Sequence, residues 1–226
     1  MSEKKHKSRR AFLRSGIALG ISATAGCIGP LYQSEENKEP FSHPSMEDIE
    51  GQPFLGPKPS RETPIIVAFE DLACPSCATF HRDTFQELKD QYIDKEELTF
   101  VFRGVDIVYN WGSIAAQVQE AVYENAEDRV FELINSYYDR QGDFSARNEI
   151  EMSESLLDDL SIDNSDRIIE QVNRGEYKSN LKQDMRAWKN SGLTGTPSFN
   201  LFIDGKYRTK IVGAEDVYVF ESVLDL

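Results

Sequence analysis

The chain has 226 residues, 39% of them hydrophobic and 11% aromatic, enough for a packed core and too much for a chain that stays unfolded. Residues 1–27 hold six of the 25 Lys/Arg and one of the 39 Asp/Glu, so the rest carries 19 basic against 38 acidic groups, a net charge near −19. A surface that acidic excludes nucleic-acid binding and reads as solvated and salt-tolerant, as in a halophile; three cysteines are too few for a disulfide scaffold, and no apolar run reaches the roughly 18–20 residues of a membrane-spanning helix.

Taken in chain order, residues 1–27 read as an address label. Lys4, Lys5 and Lys7 lead into Ser8-Arg9-Arg10-Ala11-Phe12-Leu13-Arg14, followed by a weakly apolar stretch from Gly16 to Ala25. This resembles a twin-arginine export signal, Ser/Thr-Arg-Arg-x-Phe-Leu-Lys, with Arg14 in place of the final Lys. Thr24-Ala25-Gly26-Cys27 resembles a lipobox, with Thr24 where Leu is usual, and would make Cys27 the lipid-bearing first residue. Cleavage after Ala23-Thr24-Ala25 is the alternative and would leave a secreted soluble protein with a lone thiol. One lipid chain anchors only marginally, so stable attachment takes two. Residues 28–53, rich in Glu, Ser, Pro and Gly, read as a flexible tether.

The folded body is expected over 54–226. Ile65-Ile66-Val67-Ala68-Phe69 is the unbroken apolar run of a buried central strand. After Cys74-Pro75-Ser76-Cys77 a helix is marked by Phe80, Phe85, Leu88 and Tyr92, and Leu98 to Phe102 gives a second strand. A helical block, about 112–190, holds predicted helices over 115–138, 153–160, 165–173 and 177–190. Ser198 to Ile203 and Lys206 to Val212 flank Asp204-Gly205, a hairpin signal, and 215–226 is a closing helix.

Two residues between Cys74 and Cys77, at a strand-to-helix transition, suit a small disulfide ring that opens and closes. Unpaired N–H groups at the helix start favour a Cys74 thiolate, making it the nucleophile, while Cys77, one turn in, is less exposed and resolves the mixed disulfide. Pro75 fits the first helical turn. Structural zinc needs four ligands, and His81 could add only a third, so His81 reads as a solvent-facing or packed helix residue. A structural disulfide is the other alternative.

Val67 to Cys77 resembles the strand–motif junction of the thioredoxin superfamily, in its DsbA-like branch. Arg103 after the second strand, the helical block before the hairpin, and Gly195-Thr196-Pro197-Ser198-Phe199 carry the same resemblance over about 54–226. It implies an α/β thioredoxin-like fold with an inserted helical subdomain, Pro197 as a cis proline against the redox pair, and Thr196 offering its backbone to a substrate strand. Pro75 and Ser76 complete the motif as active-site support. Relatives often carry a buried carboxylate six residues before the first cysteine as a proton relay; Ala68 stands there, and Glu70, on the same side of the strand, is the substitute if it is not a plain surface carboxylate. Asp71 reads as solvated or capping the helix. Trp111 and Arg103 read as groove-lining or as core.

These features together describe an exported thiol–disulfide oxidoreductase on the outer face of the cytoplasmic membrane, donating disulfides to cysteine-containing exported proteins. It needs no metal or organic cofactor; a membrane redox partner resets the pair. Reductase or isomerase action of the same fold, a non-catalytic peptide-binding lipoprotein and a Cu(I) carrier are the alternatives.

Overall fold

Ile65–Glu70 forms strand β2, buried at all six positions. A run so apolar is stable only inside a sheet covered on both faces, and β2 lies at the centre of one. In the computed structural model, which describes residues 41–226, the strands are β1 (Phe54–Leu55), β2, β3 (Thr99–Gly104), β4 (Ser198–Ile203) and β5 (Lys206–Val212), in the order β1-β3-β2-β4-β5. β2 pairs parallel with β3, Ile65 opposite Thr99 through Glu70 opposite Gly104, and antiparallel with β4, Ile65 opposite Phe202. β1 and β5 add antiparallel edges. The turn between β4 and β5 places Asp204 and Gly205 at φ 56° and 72°, the left-handed pair that an Asp-Gly hairpin predicts.

Alternation along β2 divides the core. Ile66 and Ala68 join Phe80, Phe85, Phe100, Phe199 and Phe220 on one face, whereas Ile65, Val67 and Phe69 join Val101, Ala187, Leu193 and Phe202 on the other. Phe80 and Phe199, both fully buried, lie 4.5 Å apart between ring centroids, and Phe199 meets Phe220 edge-on at 5.0 Å. Each such ring contributes about 1.5–3 kcal/mol by leaving water.

The crossover from β2 to β3 is helical over 75–93 and not purely α. Helix α1 (Pro75–Phe80) passes into a π-helical turn (His81–Phe85), a turn of α-helix (α2, Gln86–Leu88) and a second π-turn (Lys89–Ile93). The five-residue step from Phe80 to Phe85 overshoots an α-helical face; the π-turn restores it, leaving both rings buried.

The helical block between β3 and β4 consists of α3 (Gly112–Asn125), α4 (Val130–Asp139), α5 (Glu149–Asp159), α6 (Ser165–Asn173) and α7 (Lys178–Asn190), and α8 (Val217–Leu224) closes the chain. The single helix expected over 115–138 is two. Ala126 leaves helical geometry at φ −150°, ψ 61°, and a 3-10 turn, Glu127–Arg129, re-aims the chain. Asn125 stabilises that break by donating to Ala121 O at 2.8 Å and Tyr177 Oη at 3.3 Å.

The twin-arginine motif, Cys27 and the expected tether up to residue 40 lie outside the described residues. Residues 41–53, read from the sequence as the end of that tether, instead pack on the fold as two 3-10 turns, Pro44–Met46 and Ile49–Gly51. Met46 is buried in the core beside Ile65 and Val67, with Phe41 and Ile49 against it, but these apolar residues follow no regular spacing and the rest of the attachment is polar. Arg103, fully buried, donates through Nη1 to Ser45 O at 2.9 Å and Glu47 O at 2.8 Å, and through Nε to Asp184 Oδ1 at 3.0 Å. Gln52 Nε2 donates to the same Asp184 oxygen at 3.1 Å. Removing one partner of a buried ion pair strands the other, so Asp184→Ala is expected to lower unfolding free energy by about 3–5 kcal/mol in urea titration; a loss below about 1 kcal/mol would contradict this role.

Candidate active site

β2 ends at Glu70, and four residues later the chain enters α1 with Cys74 at its N-cap (φ −87°, ψ 119°) and Pro75 at its first position. Pro75 lacks an N–H, but none is needed there. The turn is held from several sides. Cys74 N donates to Asp71 O at 2.8 Å, and the Asp71 carboxylate accepts from the N–H groups of Ala73, Ile107 and Val108, each at 2.8 Å. Asp71 is thus fully buried, neither solvated nor a simple cap, and joins the cysteine loop to the segment after β3. Burial raises its pKa against those three hydrogen bonds. Gly112 is required beside it, since a Cβ there would lie 2.6 Å from Asp71 Oδ1. Gln141, after α4, donates to Leu72 O at 2.8 Å and Cys74 O at 3.0 Å. Nothing in the sequence marks Gln141, because its partners are 69 and 67 residues away.

Opposite Cys74 stands the Thr196–Pro197 peptide, which is cis. The Cys74 thiol donates to Thr196 O at 3.4 Å. Ser198 Oγ and, at 3.4 Å, Trp188 Nε1 both donate to Gly195 O, and Gly213 N donates to Pro197 O at 2.9 Å, fixing this loop. Pro75 is exposed and Ser76 half-buried.

The two sulfurs differ in acidity. The hydrogen bond from the Cys77 thiol is the largest cause that lowers Cys74 to about 6; Thr196 and the N–H groups of Cys77 and Ser76 add to it against the opposing effect of burial. Cys77, at 0% exposure, is pushed well above the ordinary thiol value, first by burial, then by its bond to Cys74 and the charge of Glu70.

Glu70 is not a surface carboxylate. It is 0% exposed, with Oε1 3.2 Å from His81 Nε2 and Oε2 accepting from Tyr138 Oη at 3.0 Å. His81 is the packed alternative of the two expected, in contact with Phe85 and Tyr138 at 4.4 and 4.5 Å between ring centroids. Tyr138 is held well above the ordinary phenol value, chiefly by burial and then by the Glu70 charge. Neither Tyr138 nor its pairing with Glu70 was legible, the two being 68 residues apart.

Trp111 is both core and lining. It is 5% exposed and stacked on Phe144 at 4.7 Å, and with Ala73, Pro75, Tyr109 and Gln141 it borders an open pocket of about 570 Å³ beside Cys74. Arg103 lies on the opposite face of the sheet, bound to the 41–53 segment. Among the described residues, no group of three or more His, Cys, Asp or Glu is placed to hold a metal ion.

Two thiols of opposite acidity in mutual contact meet the requirement of dithiol–disulfide exchange, and the fold that carries them is that of the thioredoxin-type oxidoreductases. The sequence model of the thioredoxin family matches residues 50–220, and the chain belongs to that family. It is 25% identical over 215 residues to the probable disulfide bond formation protein D of Bacillus anthracis, covering 94% of this chain and 89% of that one. It is also 25% identical over 154 residues to disulfide bond formation protein D of Bacillus subtilis, 66% of this chain and 67% of that one. The crystal structure of oxidised BdbD from Bacillus subtilis superposes with a TM-score of 0.69 at 21% identity, over 79% of this chain and 93% of that one. The protein is a thiol–disulfide oxidoreductase of thioredoxin-like fold.

In the reduced protein, alkylation of Cys74 by iodoacetamide is expected to level off above pH about 6 and to fall roughly tenfold per pH unit below it, while Cys77 stays unreactive. A midpoint near the ordinary thiol value of about 8.5, measured by mass shift, would contradict the geometry.

Proposed function

We propose that the protein is an exported, lipid-anchored disulfide donor for cysteine-containing extracytoplasmic proteins. The observation that carries this reading is the setting of Cys74, against the buried Cys77 thiol and the Thr196–Pro197 loop at the start of α1, which lowers its pKa to about 6. A stabilised thiolate favours the reduced form and makes the disulfide a better oxidant. The value lies between the ~7 of thioredoxin and the ~3.5 of DsbA. The printed names of the Bacillus relatives, disulfide bond formation proteins, point the same way.

In the donating direction a client thiolate attacks Cys74 Sγ. The Cys74–Cys77 bond breaks, its electron pair passes to Cys77 Sγ, and that sulfur takes up a proton. A second client thiolate then attacks the client sulfur of the mixed disulfide, forming the client's disulfide and releasing Cys74 as a thiolate. Thr196, beside Cys74, presents its backbone to an extended client segment, so that main-chain pairing rather than a side-chain code selects it. Two electrons have entered the pair, and a membrane redox partner removes them. The twin-arginine segment directs export, and Cys27, once lipidated, holds the domain on the outer face of the cytoplasmic membrane.

Cys77→Ser, in the full chain, is expected to accumulate mixed disulfides with exported proteins that dithiothreitol dissolves and that Cys74→Ser abolishes. Absence of trapped clients would sink the donor reading in favour of a passive binder. Cys27→Ser is expected to move the protein from the membrane fraction to the medium; an unchanged distribution would overturn the anchor.

A further inference from the structure

Residues 41–226 are acidic overall, with 18 Lys/Arg against 35 Asp/Glu, yet the cations are unevenly placed. Seven of the 18 fall between residues 178 and 210, where the only acids are Asp204 and Asp184, and Asp184 is buried against Arg103. Lys178, Lys182, Arg186 and Lys189 are all exposed on α7. At 3.6 residues per turn they fall within an arc of about 80°, on the side of the helix opposite the buried Asp184 and Ala187. Lys206, Arg208 and Lys210 are exposed on the edge strand β5. The two groups adjoin, because Lys210 Nζ donates to Gly192 O at 2.8 Å, just past the end of α7. None of the seven forms an ion pair among the described residues, whereas Arg82, Lys89, Arg129, Arg140 and Arg174 each do. Like charges at i, i+4 destabilise a helix, so this stripe works against folding and in favour of an anionic partner.

The course of the chain says which partner. Phe41 N donates to Gly205 O at 3.0 Å and His43 stacks on Tyr207 at 4.3 Å between ring centroids. The polypeptide that leads back to Cys27 therefore reaches the domain at the β4–β5 turn, beside Lys206 and Arg208. Phe41 follows Cys27 by 14 positions, a reach of at most about 50 Å. Tyr207 and Val212, 40% and 46% exposed, set an aromatic and an apolar side chain among the cations, a mixture suited to the headgroup level of a bilayer. The acidic remainder is no obstacle, since at 0.1 M salt charges act over only about 10 Å.

We propose that the exposed face of α7 and the β4–β5 hairpin docks on anionic lipid headgroups and so orients the redox pair at the membrane surface. The proposal rests on the anchored reading above for bringing this face to a bilayer; the contact itself is made without the lipid on Cys27. α7 leads through Gly192 into the Thr196–Pro197 loop, where Thr196 O accepts from the Cys74 thiol, so the docked face borders the active site. The anchor limits the distance from the membrane, and the cations decide which side of the domain faces it.

The test is a lysine footprint of the full chain carrying Cys27→Ser, which has no lipid. Acetylation at each lysine is read by peptide mass with vesicles of equimolar phosphatidylglycerol and phosphatidylcholine, or of phosphatidylcholine alone, in about 0.1 M salt. The cationic residues 4–14 also attract such vesicles, so the readout is which lysines of the domain are covered. Lys178, Lys182, Lys189 and Lys206 are expected to lose reactivity at least about fivefold on the mixed vesicles, while Lys58, Lys89 and Lys95 change less than about twofold. The protection should vanish on phosphatidylcholine alone and in about 1 M salt, where charges act over about 3 Å. The triple variant Lys182→Gln, Arg186→Gln, Lys189→Gln should remove the protection of Lys178 and Lys206, roughly fivefold being lost per cation. The control triple Lys58→Gln, Arg61→Gln, Lys95→Gln should leave it within about twofold. Equal protection of Lys58, Lys89 and Lys95, or no protection on the mixed vesicles, overturns the proposal. Protection of the same four lysines by polyglutamate and not by vesicles also overturns it, giving the face to an acidic polypeptide. Because the footprint is read without a lipid, its failure leaves the anchored reading standing, and that reading fails separately if Cys27→Ser does not leave the membrane fraction.

Discussion

Because Cys77 lies wholly inside the fold while Cys74 stands where the chain enters a helix, only one of the two sulfurs can hold a charge near neutral pH. Placing a thiolate in a dry interior is costly, whereas one faced by a thiol and two backbone N–H groups is stabilised. The remainder of the site maintains that difference. β2 delivers the chain to the turn from the centre of the sheet, Asp71 and Gln141 fix the turn itself, and the Thr196–Pro197 loop covers Cys74 from the other side. Loosening any of these would let water reach Cys77 or move the donors away from Cys74, and the two thiols would become alike.

The sheet has two polar attachments buried against its opposite faces, and they have different consequences. On the α1 side, Glu70 is paired with His81 and Tyr138 in a buried cluster, and its charge helps to hold Cys77 in the thiol form. On the other side, Arg103 and Asp184 hold residues 45–47 against the fold at 0% exposure of the guanidinium. That ion pair is remote from the sulfurs and acts on stability. The fastening reaches the start of the described residues, where Phe41 N donates to Gly205 O at 3.0 Å and His43 stacks on Tyr207.

Features set by neighbouring residues were legible in the sequence. The apolar run of β2, the Asp-Gly hairpin, the Cys74–Cys77 spacing and the Thr196-Pro197 segment each carry their signal within a few residues, and the resemblance to the DsbA-like branch supplied their arrangement. Features set by distant partners were not. Glu70 looks like a strand-end carboxylate until Tyr138, 68 residues on, is placed over it. Residues 41–53 look like linker because their few apolar anchors, Met46 with Phe41 and Ile49, follow no helical or strand period, and because Arg103 lies more than fifty residues from the carbonyls of Ser45 and Glu47 that it binds. The break at Ala126 was hidden because the helical periodicity resumes after a single turn.

The reduction potential of the Cys74–Cys77 pair tests the central claim most directly, that the environment of these two sulfurs favours the reduced form enough for the disulfide to be given away. Equilibrating the full chain in graded glutathione buffers and reading the thiols by alkylation mass shift supplies it. With Cys74 at about 6, the account predicts a potential between roughly −270 mV, that of thioredoxin, and −120 mV, that of DsbA. A value at or below about −270 mV would contradict a disulfide donor, and one below about −300 mV would mark a bridge that is only structural.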